Sequence, residues 1–290
     1  MPDKPVDEAV GGCPETIRVF PRRNNATPDD GFFTGPPLEH IECNEVHVSC
    51  TFTEDRRRSE FLAKQWKTAG YSVKIGGPAY GDRGGDFVSG RYIKEGYTIT
   101  SRGCNNHCGF CYVWRREGRI REIPIVDGWN VLDSNLLQCS EGHIRAVFDM
   151  LKRQARRPVF TGGLEAALLK DWHVELLKWV RPESLYLAYD EPEDYEPLVL
   201  AAAMLAGAKV CGSHKRCCYV LIGYLDDTVP KALKRMKQVL ALGLTPMAML
   251  YRGENRIRDP EWVSFQARWA NPWKIYGKKK VKAKYALFPD

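Results

Sequence analysis

The chain has 290 residues, of which 44% are hydrophobic, 27% are charged and 11% are aromatic. This balance is typical of a globular protein large enough to bury a core, as one domain or two. The longest nearly apolar run, residues 198–208, is shorter than the roughly 20 residues that a membrane-spanning helix needs. The N-terminus is acidic and proline-rich, whereas a secretory signal is basic and then apolar. Composition therefore argues against a membrane protein and predicts a cytoplasmic location.

The net charge of +7 is unevenly distributed. The last 60 residues hold 14 Lys and Arg against 4 Asp and Glu, which leaves 29 against 32 for residues 1–230. The basic character is therefore local and points to a C-terminal surface.

Patterns along the chain predict four segments. Residues 1–40 contain glycine, proline and asparagine pairs that interrupt any period, so we expect an irregular N-terminal segment. A strand at residues 46–52, a helical stretch and a second strand at residues 71–75 form one βαβ unit, which predicts a small domain over residues 41–90. A barrel-like region over residues 91–255 and a basic, aromatic segment over residues 256–290 follow.

Strand and helix patterns alternate in the third segment. The predicted strands are residues 97–100, 129–133, 158–161, 184–189, 217–222 and 245–251, and the predicted helices are residues 143–157, 165–180, 193–207 and 229–243. This alternation predicts an α/β fold, either curled into a partial barrel or doubly wound. We expect an incomplete (β/α)6 TIM-like barrel, with functional residues at the C-terminal ends of its strands.

Three cysteines, Cys104, Cys108 and Cys111, have the spacing C-x3-C-x2-C in a loop rich in glycine and asparagine. In a reducing compartment such cysteines indicate metal binding rather than disulfides. Three thiolates can hold an iron–sulfur cubane and leave its fourth iron open for a small molecule. The alternative is zinc with His107 or His143 as the fourth ligand. His107 fits that role poorly because it lies inside the same short loop, so the pattern favours the cluster.

This segment resembles the signature of the radical S-adenosylmethionine (radical SAM) superfamily, which has an aromatic residue, here Phe110, before the last cysteine. The resemblance covers about residues 95–255 and implies that Cys104, Cys108 and Cys111 hold a [4Fe-4S] cluster. The open iron would chelate the amino and carboxylate groups of S-adenosylmethionine (SAM). One electron from an external reductant, similar to flavodoxin or ferredoxin, would then release methionine and a 5′-deoxyadenosyl radical that takes hydrogen from a substrate.

The same resemblance implies SAM-binding residues at successive strand ends. Phe110 would pack beside the cluster, and Asp133 is similar to an acidic motif that the cobalamin-associated branch has near the methionine moiety. Gly162 and Gly163 would let the backbone approach the ligand, and Glu165 would bond a polar group. Each has a structural alternative: Asp133 as a turn cap, the glycines as a tight turn, and Glu165 as a favourable charge in a first helical turn.

Later strand ends supply the remaining candidates. Ile222 and Gly223 close a strand similar to the superfamily's motif beside adenine, although any buried strand that ends in glycine would look the same. Tyr189 and Asp190, and Tyr251 at the end of the last strand, are candidates to face the substrate.

The sequence assigns no role to the other cysteines, Cys13, Cys43, Cys50, Cys139, Cys211, Cys217 and Cys218. Cys217 and Cys218 would point to opposite faces of a strand, which disfavours a second cluster. The βαβ unit looks like a shortened cobalamin-binding domain. However, residues 171–173 lack the glycine of the D-x-H-x-x-G motif that such domains use, and they lie in a predicted helix. We therefore expect no cobalamin.

Residues 261–285 interleave aromatic side chains with arginine and lysine. Positive charge neutralises phosphate and rings stack on bases, so this segment is a candidate nucleic-acid surface. Trp262, Phe265 and Trp269 are also spaced as on one face of a helix, which predicts a packed closing element instead.

The sequence thus predicts a radical SAM enzyme with an unidentified substrate, for which a nucleotide or nucleic-acid base is one candidate. Two alternatives stay open: radical modification of a peptide or small metabolite, and a non-catalytic, metal-stabilised nucleic-acid-binding protein.

Overall fold

A computed structural model describes residues 16–252, 259–270 and 275 of the protein. The chain divides into two compact units, Met1–Glu95 and Gly96–Asp290, close to the predicted boundary at residue 90. Within the described residues, no helix has the length and apolar character needed to cross a membrane.

The first unit is built on a parallel sheet of four strands in the order β2-β1-β3-β4. Its elements are β1 Thr16–Val19, β2 Phe32–Phe33, β3 Glu45–Ser49, α1 Arg56–Thr68 and β4 Val73–Gly76. The predicted βαβ unit corresponds to β3, α1 and β4. Helix α1 buries Leu62 and Trp66 against the sheet, because these positions share one helical face.

The N-terminal segment was predicted to be irregular, and this is wrong for β1 and β2. Ile17 pairs with Val46 and Val19 with Val48, and all four side chains are buried. A strand of four residues flanked by turn residues gives too short an alternation to recognise. Residues 1–15, which include Cys13, lie outside the described residues.

The described part of the second unit contains eight strands and six α-helices. The strands are β5 Tyr97–Thr98, β6 Ser101–Arg102, β7 Arg121–Glu122, β8 Asn130–Val131, β9 Val159–Phe160, β10 Ser184–Tyr189, β11 Arg216–Ile222 and β12 Thr245–Leu250. The helices are α2 Val113–Glu117, α3 Glu141–Arg153, α4 Asp171–Val180, α5 Tyr195–Gly207, α6 Val229–Ala241 and α7 Pro260–Trp269.

Six of these strands form one parallel sheet in the order β12-β11-β10-β9-β8-β5. Strands that follow one another along the chain, apart from β6 and β7, are therefore neighbours in the sheet. The predicted α/β class is confirmed, and the order shows no reversal of the kind that defines a doubly wound sheet. The C-terminal ends of all six strands lie along one edge.

One face of this sheet carries the hydrophobic core. Leu185, Leu187 and Tyr189 of β10 lie in the core, whereas Tyr186 and Ala188 are half-buried on the other face. The alternation follows from the two-residue period of a strand.

Two of the helices bear on the candidate site and on the C-terminal segment. The helix predicted at residues 165–180 begins at Asp171, because Ala166–Leu168 form a separate 3₁₀ turn. Helix α7 buries Phe265 and Trp269, which confirms the packed-helix interpretation for this part of residues 261–285. The lysines at positions 278–284 lie outside the described residues.

Candidate functional site

The cysteine loop begins and ends on a short antiparallel ribbon. Strands β6 and β7 pair Ser101 with Glu122 and Arg102 with Arg121. The 18 residues between them, 103–120, contain all three cysteines and α2. The ribbon therefore closes the loop directly after β5, at the C-terminal edge of the parallel sheet.

Gly103 forms the neck of this loop. Its φ is +83°, and a Cβ there would collide with the carbonyl of Arg119. The N–H of Gly103 donates to Glu117 Oε2 at 2.9 Å, and the N–H of Cys104 donates to the carbonyl of Gly118 at 3.1 Å. Only glycine combines this left-handed conformation with so close an approach of two backbone segments.

Backbone N–H groups point at two of the three sulfurs. The N–H of Asn106 is 3.4 Å from Cys104 Sγ, and the N–H of Val113 is 3.5 Å from Cys111 Sγ. The N–H of Cys111 also donates to the carbonyl of Cys108 at 3.1 Å, which tightens the loop. Such N–H groups stabilise thiolates, and around an iron–sulfur cluster they tune the reduction potential. The thiols and their N–H donors therefore have the chemistry of cluster ligands.

The three thiols lie close enough to influence one another. Burial, followed by the charges of Cys111 and Cys104, raises the pKa of Cys108 to about 11. Burial also raises the pKa of Cys111, and Asp190 contributes to the increase at both residues. Several uncompensated negative charges are disfavoured here, whereas a cationic metal centre would compensate them.

Asp133 is buried behind the ribbon and holds its first strand. Its Oδ1 accepts from the N–H of Thr100 at 2.7 Å, and its Oδ2 accepts from Thr100 Oγ1 at 2.6 Å and Ser101 Oγ at 2.7 Å. Burial raises the pKa of this carboxyl. Both carboxyl oxygens are thus engaged within the protein, so the geometry favours a positioning role over the direct SAM contact that the resemblance implied.

Gln138 links the cysteine loop to Glu165. Its Oε1 accepts from the N–H of Asn105 at 2.7 Å, and its Nε2 donates to Asn106 Oδ1 at 3.0 Å and to Glu165 Oε2 at 3.2 Å. The structure therefore brings the predicted residue Glu165 to the loop. Gln138 was not predictable from the sequence, because a single glutamine in a 3₁₀ turn carries no recognisable signal.

Asn135 occupies the space between Cys104 and Glu165. Its Nδ2 donates to Glu165 Oε2 at 2.5 Å and lies 3.7 Å from Cys104 Sγ. Its Oδ1 is buried and has no hydrogen-bond partner among the described residues. An unsatisfied buried acceptor is costly, so this oxygen fits a ligand that donates a hydrogen bond beside Cys104.

Gly162 and Gly163 bring the ends of β8 and β9 together. A Cβ on Gly162 would overlap the carbonyl of Asp133 and lie 2.7 Å from the carbonyl carbon of Leu132. Gly163 has φ +91°, which lets the chain turn towards Glu165. The tight-turn interpretation of these glycines therefore describes their backbone, and that turn is what carries Glu165 to the loop.

The two candidates at the end of β10 lie on different sides of the sheet. Tyr189 is buried in the core, and its hydroxyl donates to Gln238 Oε1 at 3.2 Å. The structure therefore does not place Tyr189 where it would face a substrate, because strand alternation sends it to the helix side. Burial and the charge of Asp194 raise the pKa of Asp190 to about 7. Asp190 thus stays a candidate beside the cysteine loop.

Three aromatic rings form a row that begins at Phe110 of the cysteine loop. Phe110 and Tyr224 meet edge to face with ring centroids 5.6 Å apart, and Tyr224 and Tyr251 do so at 4.8 Å. A Cβ on Gly109 would lie 2.7 Å from the hydroxyl oxygen of Tyr224. The structure therefore brings the predicted residues Phe110 and Tyr251 together, through a tyrosine that the sequence analysis did not name.

A buried ion pair holds the loop that carries Tyr224. Arg235 donates to both carboxylate oxygens of Asp227, at 3.1 and 2.7 Å, and to the carbonyl of Leu221 at 2.9 Å. Asp227 Oδ2 also accepts from the N–H of Gly223 at 2.8 Å. Gly223, with φ +71°, thus lies in the loop beside the site, whereas the side chain of Ile222 is fully buried in the core.

The face of the sheet opposite the core carries a stacked pair of tyrosines. The rings of Tyr186 and Tyr219 lie 4.8 Å apart and are inclined by 16°. The hydroxyl of Tyr219 donates to the carbonyl of Thr161 at 3.1 Å, next to the Gly162–Gly163 turn. Neither tyrosine was predictable as a site residue, because a single tyrosine in a strand pattern usually belongs to the core.

All described cysteines are free thiols. Cys218 is in the core, and Cys217 points to the opposite face, as expected from strand alternation. Cys139 is half-buried, and burial raises its pKa to about 11, with the nearby charge of Asp133 contributing.

Across residues 16–252 and 259–270, no three His, Cys, Asp or Glu side chains are grouped as ligands of a metal ion. No model of a known protein family and no curated protein matches this chain.

Proposed function

We propose that the protein is a radical SAM enzyme in which Cys104, Cys108 and Cys111 hold a [4Fe-4S] cluster. The observation that carries the proposal is the cysteine loop itself. It has the C-x3-C-x2-C spacing, follows the first strand of a singly wound parallel sheet, and directs backbone N–H groups at two of its sulfurs. In this proposal the sheet is the incomplete (β/α)6 barrel of the superfamily.

The surroundings of Cys104 support SAM as the second cofactor. Bound together, the cluster and SAM would supply one-electron cleavage of a sulfonium bond and removal of hydrogen from a substrate. The unpaired Oδ1 of Asn135 and the carboxylate of Glu165 offer acceptors for an ammonium group. Asp133 would fix the ribbon, and Phe110 and Tyr224 would shield the loop from water.

The substrate would lie on the face of the sheet opposite the core. Tyr186 and Tyr219 stack on each other, and a planar group would extend this stack from one of its outer faces, which favours a nucleotide or nucleic-acid base over a peptide or aliphatic metabolite. The electron would come from an external flavodoxin- or ferredoxin-like reductant.

Iron and sulfide analysis after anaerobic reconstitution tests the cluster. We expect about four irons per chain and a brown protein, because three cysteine ligands match a cubane with one open iron. Replacing Cys104, Cys108 or Cys111 by Ala should abolish binding. Cys139→Ala is the matched control, since Cys139 is a half-buried thiol outside the motif. Stoichiometric zinc without iron or sulfide in anaerobically purified protein would refute the proposal.

A further inference from the structure

A basic cleft lies at the end of the second unit's sheet where the strands begin. Its volume is about 560 Å³, and its lining includes Arg157, Lys178, Arg181 and Lys209. These residues come from three successive connections that lead into β9, β10 and β11. They are far apart in the sequence, and residues 1–230 are nearly balanced in charge, so the overall composition does not reveal them as one surface.

Two of these cations are free to bind a ligand. The side chains of Arg181 and Lys209 are exposed and form no ion pair within the described part of the chain, whereas Lys178 pairs with Glu175. Arg157 donates to the carbonyls of Arg181 and Pro182, both at 2.8 Å. It therefore satisfies the carbonyl groups that would otherwise repel an anion.

The backbone at these two positions is unusual. Arg181 has φ +53° and Lys209 has φ +52°, a left-handed conformation that disfavours side chains with a Cβ. The turns that follow α1 and α6 use Gly70 and Gly243 at such positions. A cation near a helix C-terminus interacts favourably with the helix dipole. A cation elsewhere in the last turn would have the same interaction without the strain of a left-handed backbone. Strained residues of this kind concentrate at functional sites.

We propose that this cleft binds phosphate groups of a nucleic-acid backbone. A guanidinium group forms paired hydrogen bonds with phosphate, so the free side chains of Arg181 and Lys209 can bind successive phosphates, and the nearby charges of Arg157 and Lys178 add to the positive field of the opening. The cleft lies at the opposite end of the strands from the cysteine loop, so this function is independent of cluster chemistry.

The double variant R181G/K209G tests the proposal without damaging the fold. Glycine relieves the left-handed conformation, so the melting temperature should stay equal or rise while two positive charges are lost. Binding of a fluorescein-labelled, 20-nucleotide single-stranded RNA to the full chain is followed by anisotropy at several salt concentrations. We expect about 10-fold or greater weakening at 0.1 M salt, and a salt slope smaller by about 1.4, since each phosphate contact on a single strand contributes about 0.7.

The matched control is K64Q/K67Q, which removes two exposed cations of α1 in the other unit. It should leave affinity and slope nearly unchanged. Unchanged RNA binding by R181G/K209G would overturn the proposal, as would equal weakening by the control. Polyglutamate competing with RNA as strongly as a single-stranded DNA of the same charge would also overturn it, because the cleft would then recognise charge and not phosphate.

Discussion

Asn135 presents the clearest residue-scale test of SAM binding. Its buried Oδ1 lacks a partner among the described residues, and its Nδ2 lies 3.7 Å from Cys104 Sγ. Under the proposed function, Asn135→Leu should raise the Kd for SAM about 10- to 100-fold, because a hydrogen bond to a charged group contributes about 1.5 to 3 kcal/mol. Equilibrium dialysis with the reconstituted protein measures this.

Two controls accompany the Asn135 variant. The iron content should match that of the wild type, since the side chain is not a cluster ligand. Ser134→Ala, at the exposed neighbouring position, should bind SAM normally. An Asn135→Leu protein with full iron content and unchanged affinity would remove this residue from the site.

Asp133 tests whether a predicted ligand-binding residue instead positions the loop. Asp133→Ala should lower the free energy of unfolding by about 2 to 4 kcal/mol, because a buried N–H and two hydroxyls lose their acceptor. Asp133→Asn keeps an acceptor and avoids burying a charge, so it should cost less than half as much. Urea denaturation gives both values. A normal SAM affinity in Asp133→Asn supports positioning, whereas a large loss of affinity with intact stability indicates direct contact.

At the scale of elements, the loop between β11 and α6 depends on the Asp227–Arg235 pair. Both side chains are largely buried, and the guanidinium binds both oxygens of the carboxylate. Arg235→Lys keeps the charge but loses the paired geometry, so we expect a loss of about 1 to 2 kcal/mol. Hydrogen exchange should accelerate in residues 223–228 and not in α3. Uniform acceleration across the unit would show that the pair stabilises the whole unit instead.

The first turn of α4 makes stability depend on pH through His173. The side chain is 3% exposed, and burial, followed by the nearby Lys170, lowers its pKa to about 4 from 6.5. The folded state therefore binds fewer protons than the unfolded state between these values. The contribution of neutral His173 to the free energy of unfolding, up to about 3 kcal/mol, is fully present above pH 6.5 and is lost as the pH falls towards 4.

His173→Gln isolates this effect. His173 Nδ1 accepts from the N–H of Lys170 at 3.0 Å, and glutamine at this third helical position can make the same capping contact. The variant should remain folded and show a flatter dependence of stability on pH between 6.5 and 4. A slope identical to that of the wild type would assign the pH dependence to other groups.

Segments with a clear period or an apolar run were predictable, even where the strand that forms is short, as in β5, β8 and β9. Strand β10 has the predicted bounds, because Leu185, Leu187 and Tyr189 alternate with residues of the opposite face. Strands β1, β2, β6 and β7 have two to four residues, too few to show a period. The cysteine loop was recognisable from local spacing. Asn135, Gln138 and Tyr224 were not, because only the folded chain brings them to it.

At the scale of the whole molecule, one basic surface is predictable from the sequence, and a second exists only in the folded chain. Counting charges along the chain predicts one basic surface, in the C-terminal segment. The fold adds a second, because successive helix-to-strand turns lie at the same end of a parallel sheet and gather Arg157, Arg181 and Lys209 there. The absence of cobalamin stays a prediction, although His173, in the nearest motif-like string, is buried and bonded within α4.

Product analysis of SAM incubated with the reconstituted, reduced protein tests the central claim most directly. We expect 5′-deoxyadenosine and methionine in equal amounts, formed only with a one-electron reductant. Cys104→Ala, Cys108→Ala and Cys111→Ala should form neither product, and Cys139→Ala should form both. S-adenosylhomocysteine as the sole product, or undiminished 5′-deoxyadenosine from a Cys108→Ala protein, would contradict it.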